Sequence, residues 1–191
     1  MKHQQLQYIL GGFNKTYEEE YIRLFCLKIG LTFKPETRAR DKDLIDLLMG
    51  AFFASSADFT QAFRDMSETE VANWLTCKGS CSEKNWGLSK LNQVKKFRQF
   101  AEAYTARLKD EGISEAERMT RMKSINPRYI LRNWIAQKAI EKAEKEADFS
   151  MLDLVLKTLS KPFEEQDEAE RHGFASQVPE WSKDLVVSCS S

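Results

Sequence analysis

Four cysteines are the most reactive side chains in this 191-residue sequence, and their spacing sets which thiol chemistry is open to it. Cys77 and Cys81 stand four apart in a stretch of Gly and Ser, with Lys78 and Lys84 beside them. As half of a zinc site the pair lacks a second pair of ligands at a normal spacing. As a redox pair it is one residue longer than Cys-x-x-Cys. Two incidental loop thiols is the plainer reading. Cys26 falls on a helical face beside Phe25 and Leu27 and belongs in the core. Cys189 is followed only by Ser190 and Ser191. A thiol there has small neighbours, so access sets its reactivity more than a shifted pKa would.

Two other strings could bind or react. Asn126 to Trp134 reads NPRYILRNW, a cap followed by proline at the first helical position. On one helix Arg128 and Arg132 would share a face, with the partial positive charge of the helix N-terminus behind them. Such a face could hold a phosphate or an acidic partner. The plainer reading pairs both arginines with neighbouring carboxylates. Glu164 to Arg171 carries five carboxylates in eight residues. Paired carboxylates can move protons or hold metal, but a run like this reads first as a solvated helix face.

Other chemistry lacks its residues. His3 and His172 are the only histidines, too few for a histidine metal centre. Gly11-Gly12 is the only glycine pair and has no Lys-Ser or Lys-Thr behind it. No GxSxG, HExxH or kinase-type HRD or DFG segment occurs. No catalytic, cofactor-binding or metal residue is expected in the chain.

The elements around these residues are helical. Gly 8 and Pro 4 are low counts, and an apolar fraction of 42% with 30% charged residues fits a globular chain. Lys+Arg 29 balances Asp+Glu 29, so no global pull on nucleic acid or anionic membrane exists. No apolar run approaches the roughly 18 residues of a membrane span. Periodicity places helices over 14–30, ending at Gly30, from Asp41 to about Phe52, and over 59–66 after an Asp58 cap. A short one follows the Ser67–Glu70 capping box. A long one runs from Ser89 to Asp110 and ends at Gly112. Further helices follow Ser114, Asn126 and Ser150. The sum is an all-α array of about eight helices over 1–172, with an extended tail over 173–191.

The strings Asn126-Pro-Arg-Tyr-Ile-Leu-Arg-Asn-Trp134, Asp148-Phe149-Ser150, Lys161-Pro162, Pro179-Glu180-Trp181 and Ser188-Cys189-Ser190-Ser191 closely resemble the C-terminal region of the selenoprotein O family. Upstream, Lys28-Ile29-Gly30-Leu31 and Ala57-Asp58-Phe59-Thr60 resemble it too, with a weaker, shortened middle near 67–90. The resemblance implies a pseudokinase-like fold that transfers AMP from ATP, with a divalent metal such as Mg, to Ser, Thr or Tyr of protein substrates. It implies that this chain corresponds to the helical C-terminal extension, a fragment without the ATP and metal site. The kinase-like region would then be its partner and lie N-terminal to it. Cys189 stands where the family places selenocysteine or a redox-active cysteine, bonded to a cysteine of the kinase-like region. The family also implies a soluble intracellular, mitochondrial setting. Two other readings stay open: a stand-alone helical protein-binding module, and a small thiol redox protein pairing Cys189 with Cys77 or Cys81.

Overall fold

A computed structural model describes residues 2–76 and 85–185, without the side chains of residues 2–6, 8 and 9. Among the described residues there are nine α-helices, three short 3₁₀ turns and no strand. The chain divides into two compact units, Met1–Ile125 and Asn126–Ser191.

The first unit holds α1 (Lys2–Lys28), α2 (Arg38–Ser55), α3 (Phe59–Glu68), α4 (Trp86–Leu91), α5 (Lys95–Glu111) and α6 (Glu115–Ile125). Among its described side chains, helix α1 buries Ile22 and Cys26, in its C-terminal turns. It stops because Gly30 adopts a left-handed φ of 76°. Leu31 N then donates to Cys26 O at 2.9 Å and Gly30 N to Leu27 O at 3.1 Å, which satisfies two orphan carbonyls. Helices α2 and α5 run antiparallel: Asp41 meets Arg107 near one end, and the Lys96 side chain lies over Gly50 near the other. The buried side of α5 carries an aromatic stack. The Trp74 ring lies over Tyr104 at 5.1 Å and nearly parallel to Phe100 at 6.1 Å. Phe25, Phe52, Phe59 and Phe63 form a second ring cluster where α1, α2 and α3 meet.

The second unit is α7 (Asn133–Glu146), α8 (Ser150–Ser160) and α9 (Asp167–Arg171). Its core is Tyr129, Trp134, Ile135, Ala139, Met151, Leu154, Val155, Ala169 and Phe174. Gly173, at φ 73°, ends α9 as Gly30 ends α1. Phe174 N donates to Ala169 O at 3.0 Å, and both side chains are buried. The expected tail therefore opens by packing Phe174 into this core, and Glu180–Ser182 adds a 3₁₀ turn.

Several local expectations need correction. The helix expected from Pro127 to about Lys145 is present but starts six residues late. Residues 126–132 are non-helical and α7 starts at Asn133. Asp41 does not cap α2, which begins at Arg38. It is buried against Arg107 instead. Ser67 lies inside α3 and donates to Phe63 O, so the Ser67 capping box gives only a 3₁₀ turn, Val71–Asn73. The long helix expected from Ser89 is two pieces, α4 and α5. Ser150 is the first residue of α8, and Asp148 Oδ1 takes its N–H at 2.8 Å. Asp58 does cap α3, accepting from Gln61 N at 2.8 Å.

Gly87 marks the tightest crossing. A Cβ there would lie 2.5 Å from Ala62 N and 2.8 Å from Ala62 Cα, so backbone meets backbone where α4 crosses α3. Gly87→Ala should destabilise the chain by about 1–3 kcal/mol or more, since backbone cannot step aside as a side chain can. Gly11→Ala, in the exposed part of α1 with nothing within 4 Å, should stabilise its helix by about 0.5–1 kcal/mol. Chemical denaturation of the two variants checks both signs.

Candidate functional site

Two strings that are separate in sequence meet in the second unit. Arg128 Nε and Nη2 donate to the two oxygens of Glu170 at 2.7 and 2.9 Å, a bidentate pair. The Tyr129 hydroxyl also donates to Glu170 and accepts from Gln166 N at 3.0 Å. Burial and the Glu170 carboxylate push that hydroxyl above the ordinary tyrosine range, so it holds its proton. The backbone N–H groups of Arg128 and Tyr129 both donate to Pro162 O, at 2.8 and 3.1 Å. These bonds are why the segment is not a helix: its donors reach across to another loop. Arg128 and Arg132 therefore share no helix face, and Glu170 is no member of a solvated one. The pair neutralises itself, and its evident role is to pin the 126–132 segment onto the α8–α9 connection.

His172 lies beside a groove of about 400 Å³ lined also by Lys138, Lys142, Lys145 and Met151. Lys142 pairs with Asp148 at 2.8 Å and Lys145 with Glu141 at 3.6 Å. Lys138 sits over the Trp134 ring at 5.0 Å. Each of these lysines already has a partner.

In the first unit the charged groups are deeper. Arg107 Nε donates to Asp41 at 2.8 Å, its Nη1 to Glu111 at 2.9 Å and its Nη2 to Thr32 O at 3.1 Å. Burial alone would raise the Glu111 carboxyl, but hydrogen bonds from Thr32 and Arg107 outweigh it and hold it below the usual range. Cys26 borders this network with no exposed surface. Burial and the Asp41 charge push its thiol up to about 12, so it is no nucleophile at neutral pH. Asp65 is a separate case. One oxygen accepts from Gly87 N and Leu88 N at 2.9 and 3.0 Å, the other from Gln61 Nε2 at 2.7 Å. Its carboxyl caps α4 from the neighbouring helix. Burial raises it to about 7, against the hydrogen bonds from Leu88, Gln61 and Gly87.

Cys77, Cys81 and Cys189 lie outside the described residues. Among the described residues no three His, Cys, Asp or Glu side chains gather as metal ligands would. No described helix is long and apolar enough to cross a membrane.

The family model for protein adenylyltransferase SelO matches residues 1–160. The chain belongs to this family. Curated relatives extend the match. A protein nucleotidyltransferase YdiU of Thioalkalivibrio sulfidiphilus is 35% identical over 182 residues, covering 95% of this chain and 34% of the relative. The protein of the same name in Myxococcus xanthus gives 35% identity over 95% of this chain and 35% of its own length. That of Herminiimonas arsenicoxydans gives 35% identity over 98% of this chain, again 35% of its own. The chain thus spans about a third of the length of these SelO-family relatives.

Sequence reasoning missed the Arg107 network and the Asp65 cap. The first had a signal: Arg107 falls three residues after Tyr104, on the stripe that buries Phe97, Phe100 and Tyr104. An arginine at a core position announces a buried carboxylate. The Asp65 cap had none, because the two N–H groups it accepts from in α4 lie 22 and 23 residues away.

Asp65 gives a pH dependence with a definite sign. The folded state keeps its proton up to about 7, while the unfolded chain releases it near 3.8. The folded state therefore binds more protons over that window, and this residue's contribution to stability falls as pH rises through it, then levels off. Denaturant titrations between pH 5 and 8 should show this fall in the native chain and its loss in Asp65→Asn.

Proposed function

We propose that this chain is the helical C-terminal region of a protein adenylyltransferase, and that it braces a kinase-like region lying N-terminal to it. In this reading ATP and a divalent metal such as magnesium belong to that region, as does the transfer of AMP to hydroxyls of protein substrates. What carries the reading is coverage: relatives named protein nucleotidyltransferase match nearly all of this chain with only a third of their own length. The surface of α1 supports it. Leu10, Phe13, Tyr17 and Leu24 recur at spacings of three, four and seven on one side of that helix, and all are exposed. A row of apolar side chains of this length is what a face for further protein looks like.

Replacing the matching third of the Thioalkalivibrio relative with this chain tests the bracing role. The chimera should be soluble and should incorporate AMP from ATP into protein. Phe13→Asp with Tyr17→Asp should abolish both properties, while this chain alone should incorporate none. An inert or insoluble chimera, or AMP transfer by this chain alone, overturns the reading.

Cys189 is the proposed redox residue, and its partner cysteine belongs to the kinase-like region. Joining the two releases two protons and two electrons to an oxidant such as oxidised glutathione. In this chain alone Cys189 should be alkylated first under native conditions and should form intermolecular disulfides. Cys26, buried and with its thiol near 12, should be alkylated last. Mass-spectrometric mapping decides the order. A dominant Cys77–Cys189 or Cys81–Cys189 bond would instead favour a self-contained thiol redox protein.

A further inference from the structure

The charges of the first unit are not evenly answered. Seven of its eight arginines lie in ion pairs with Asp or Glu. Arg98 is the exception among the described residues. It stands in a stretch from Asn85 to Ala101 that contains no acidic residue, together with Lys90, Lys95 and Lys96. All four cations are exposed.

Their position works against the helix that carries them. α5 starts after Val94, with no side-chain cap and no acid in its first turn. The N-terminus of a helix carries partial positive charge, and cations there cost roughly 0.3–1 kcal/mol each at low ionic strength. Lys95, Lys96 and Arg98 occupy that turn. The fold gains nothing from this charge, so an anion from outside would gain from it.

The same end of the unit also presents apolar surface to water. The antiparallel packing of α2 on α5 is registered by Asp41 with Arg107 and by Gly50 under Lys96. Phe53, one turn beyond Gly50, therefore lies at the end of α2 that neighbours the start of α5. It is 92% exposed, the most exposed of the large apolar side chains among the described residues. Four cations without an acidic partner among the described residues, on α4 and the start of α5, and a bare ring at the neighbouring end of α2 fit a particular ligand chemistry: several carboxylates with one apolar side chain among them. Single-stranded nucleic acid fits less well. Its grip needs successive stacking rings along a charged groove, and here one ring stands on a chain with no net charge.

We propose that Lys90, Lys95, Lys96 and Arg98, with Phe53, form a docking face for an acidic segment of a partner protein that carries an apolar anchor. The proposal goes beyond the adenylyltransferase reading and does not depend on it, because binding is read without ATP.

The test is fluorescence anisotropy on the full chain. The probe is a labelled peptide of about a dozen residues, rich in Glu and Asp with one central Leu. Binding should saturate and should weaken by about tenfold or more between low and physiological salt, since exposed charges are screened. Lys95→Glu with Arg98→Glu should lose binding by about tenfold or more, equivalent to about 1.4 kcal/mol. Phe53→Ser should weaken it several-fold without changing the salt dependence. Lys109→Glu with Lys145→Glu makes the same net-charge change elsewhere and should leave binding intact. All substituted side chains are exposed, and an unchanged melting temperature shows that each variant is folded. Absence of saturable binding overturns the proposal, as does equal loss in the control variant. So does tighter binding of an oligonucleotide of matched charge.

Discussion

A guanidinium taken out of water must find every hydrogen bond inside the fold, and Arg118 is the most deeply buried guanidinium among the described residues. It has no exposed surface. Its Nη1 donates to Met66 O at 3.0 Å and its Nη2 to Thr69 O at 2.9 Å, closing the last turn of α3. Glu115, one turn back on α6, takes two more donors at 2.8 and 3.0 Å. The flat face lies 5.3 Å from the Trp74 ring, which links the charge to the aromatic stack of α5. Glu115 also accepts from Val71 N at 2.6 Å, so the chain leaving α3 is held at both ends. Glu115 keeps 32% of its side-chain surface, so losing this pair falls hardest on the guanidinium, which is the partner held away from water. Gly30 is subject to the same constraint: a Cβ there would come within 3.1 Å of the Arg118 side chain.

The second unit repeats the logic with weaker burial. Arg128 and Glu170 keep 14% and 30% of their side-chain surface, so water shares the charge and the pair is worth less. What it provides is geometry. A fork of two parallel bonds fixes the 126–132 segment in one register, and the two N–H bonds to Pro162 O complete it. Both units thus place an arginine where a non-helical connection must be tied to a helix.

Features governed by local chemistry could be read in the sequence. The stops at Gly30 and Gly112 are legible because a left-handed residue after a helix asks for glycine. The Asp58 cap and the burial of Cys26 follow from neighbours a few residues away. Misreadings arose where a distant partner outbid the local one. Asp41 has a cap's chemistry but answers Arg107, 66 residues on. Pro127 has the look of a helix start, yet the donors after it go to Pro162. Ser67 is diverted by the α3 backbone itself. For the candidate site the same divide holds: the terminal thiol is a matter of position in the chain, whereas the union of Arg128 with Glu170 exists only after folding.

Asp65 also ties α3 to chain that lies more than twenty residues further on. The stretch after α3 is anchored by the buried Trp74, and Asn92 Nδ2 donates back to Leu75 O at 3.1 Å. The start of α4 is clamped by Asp65 at Gly87 and Leu88. Two stretches of chain that a sequence reading would treat as separate are thus fixed within the same group of helices, one by a ring and an amide, the other by a single carboxylate.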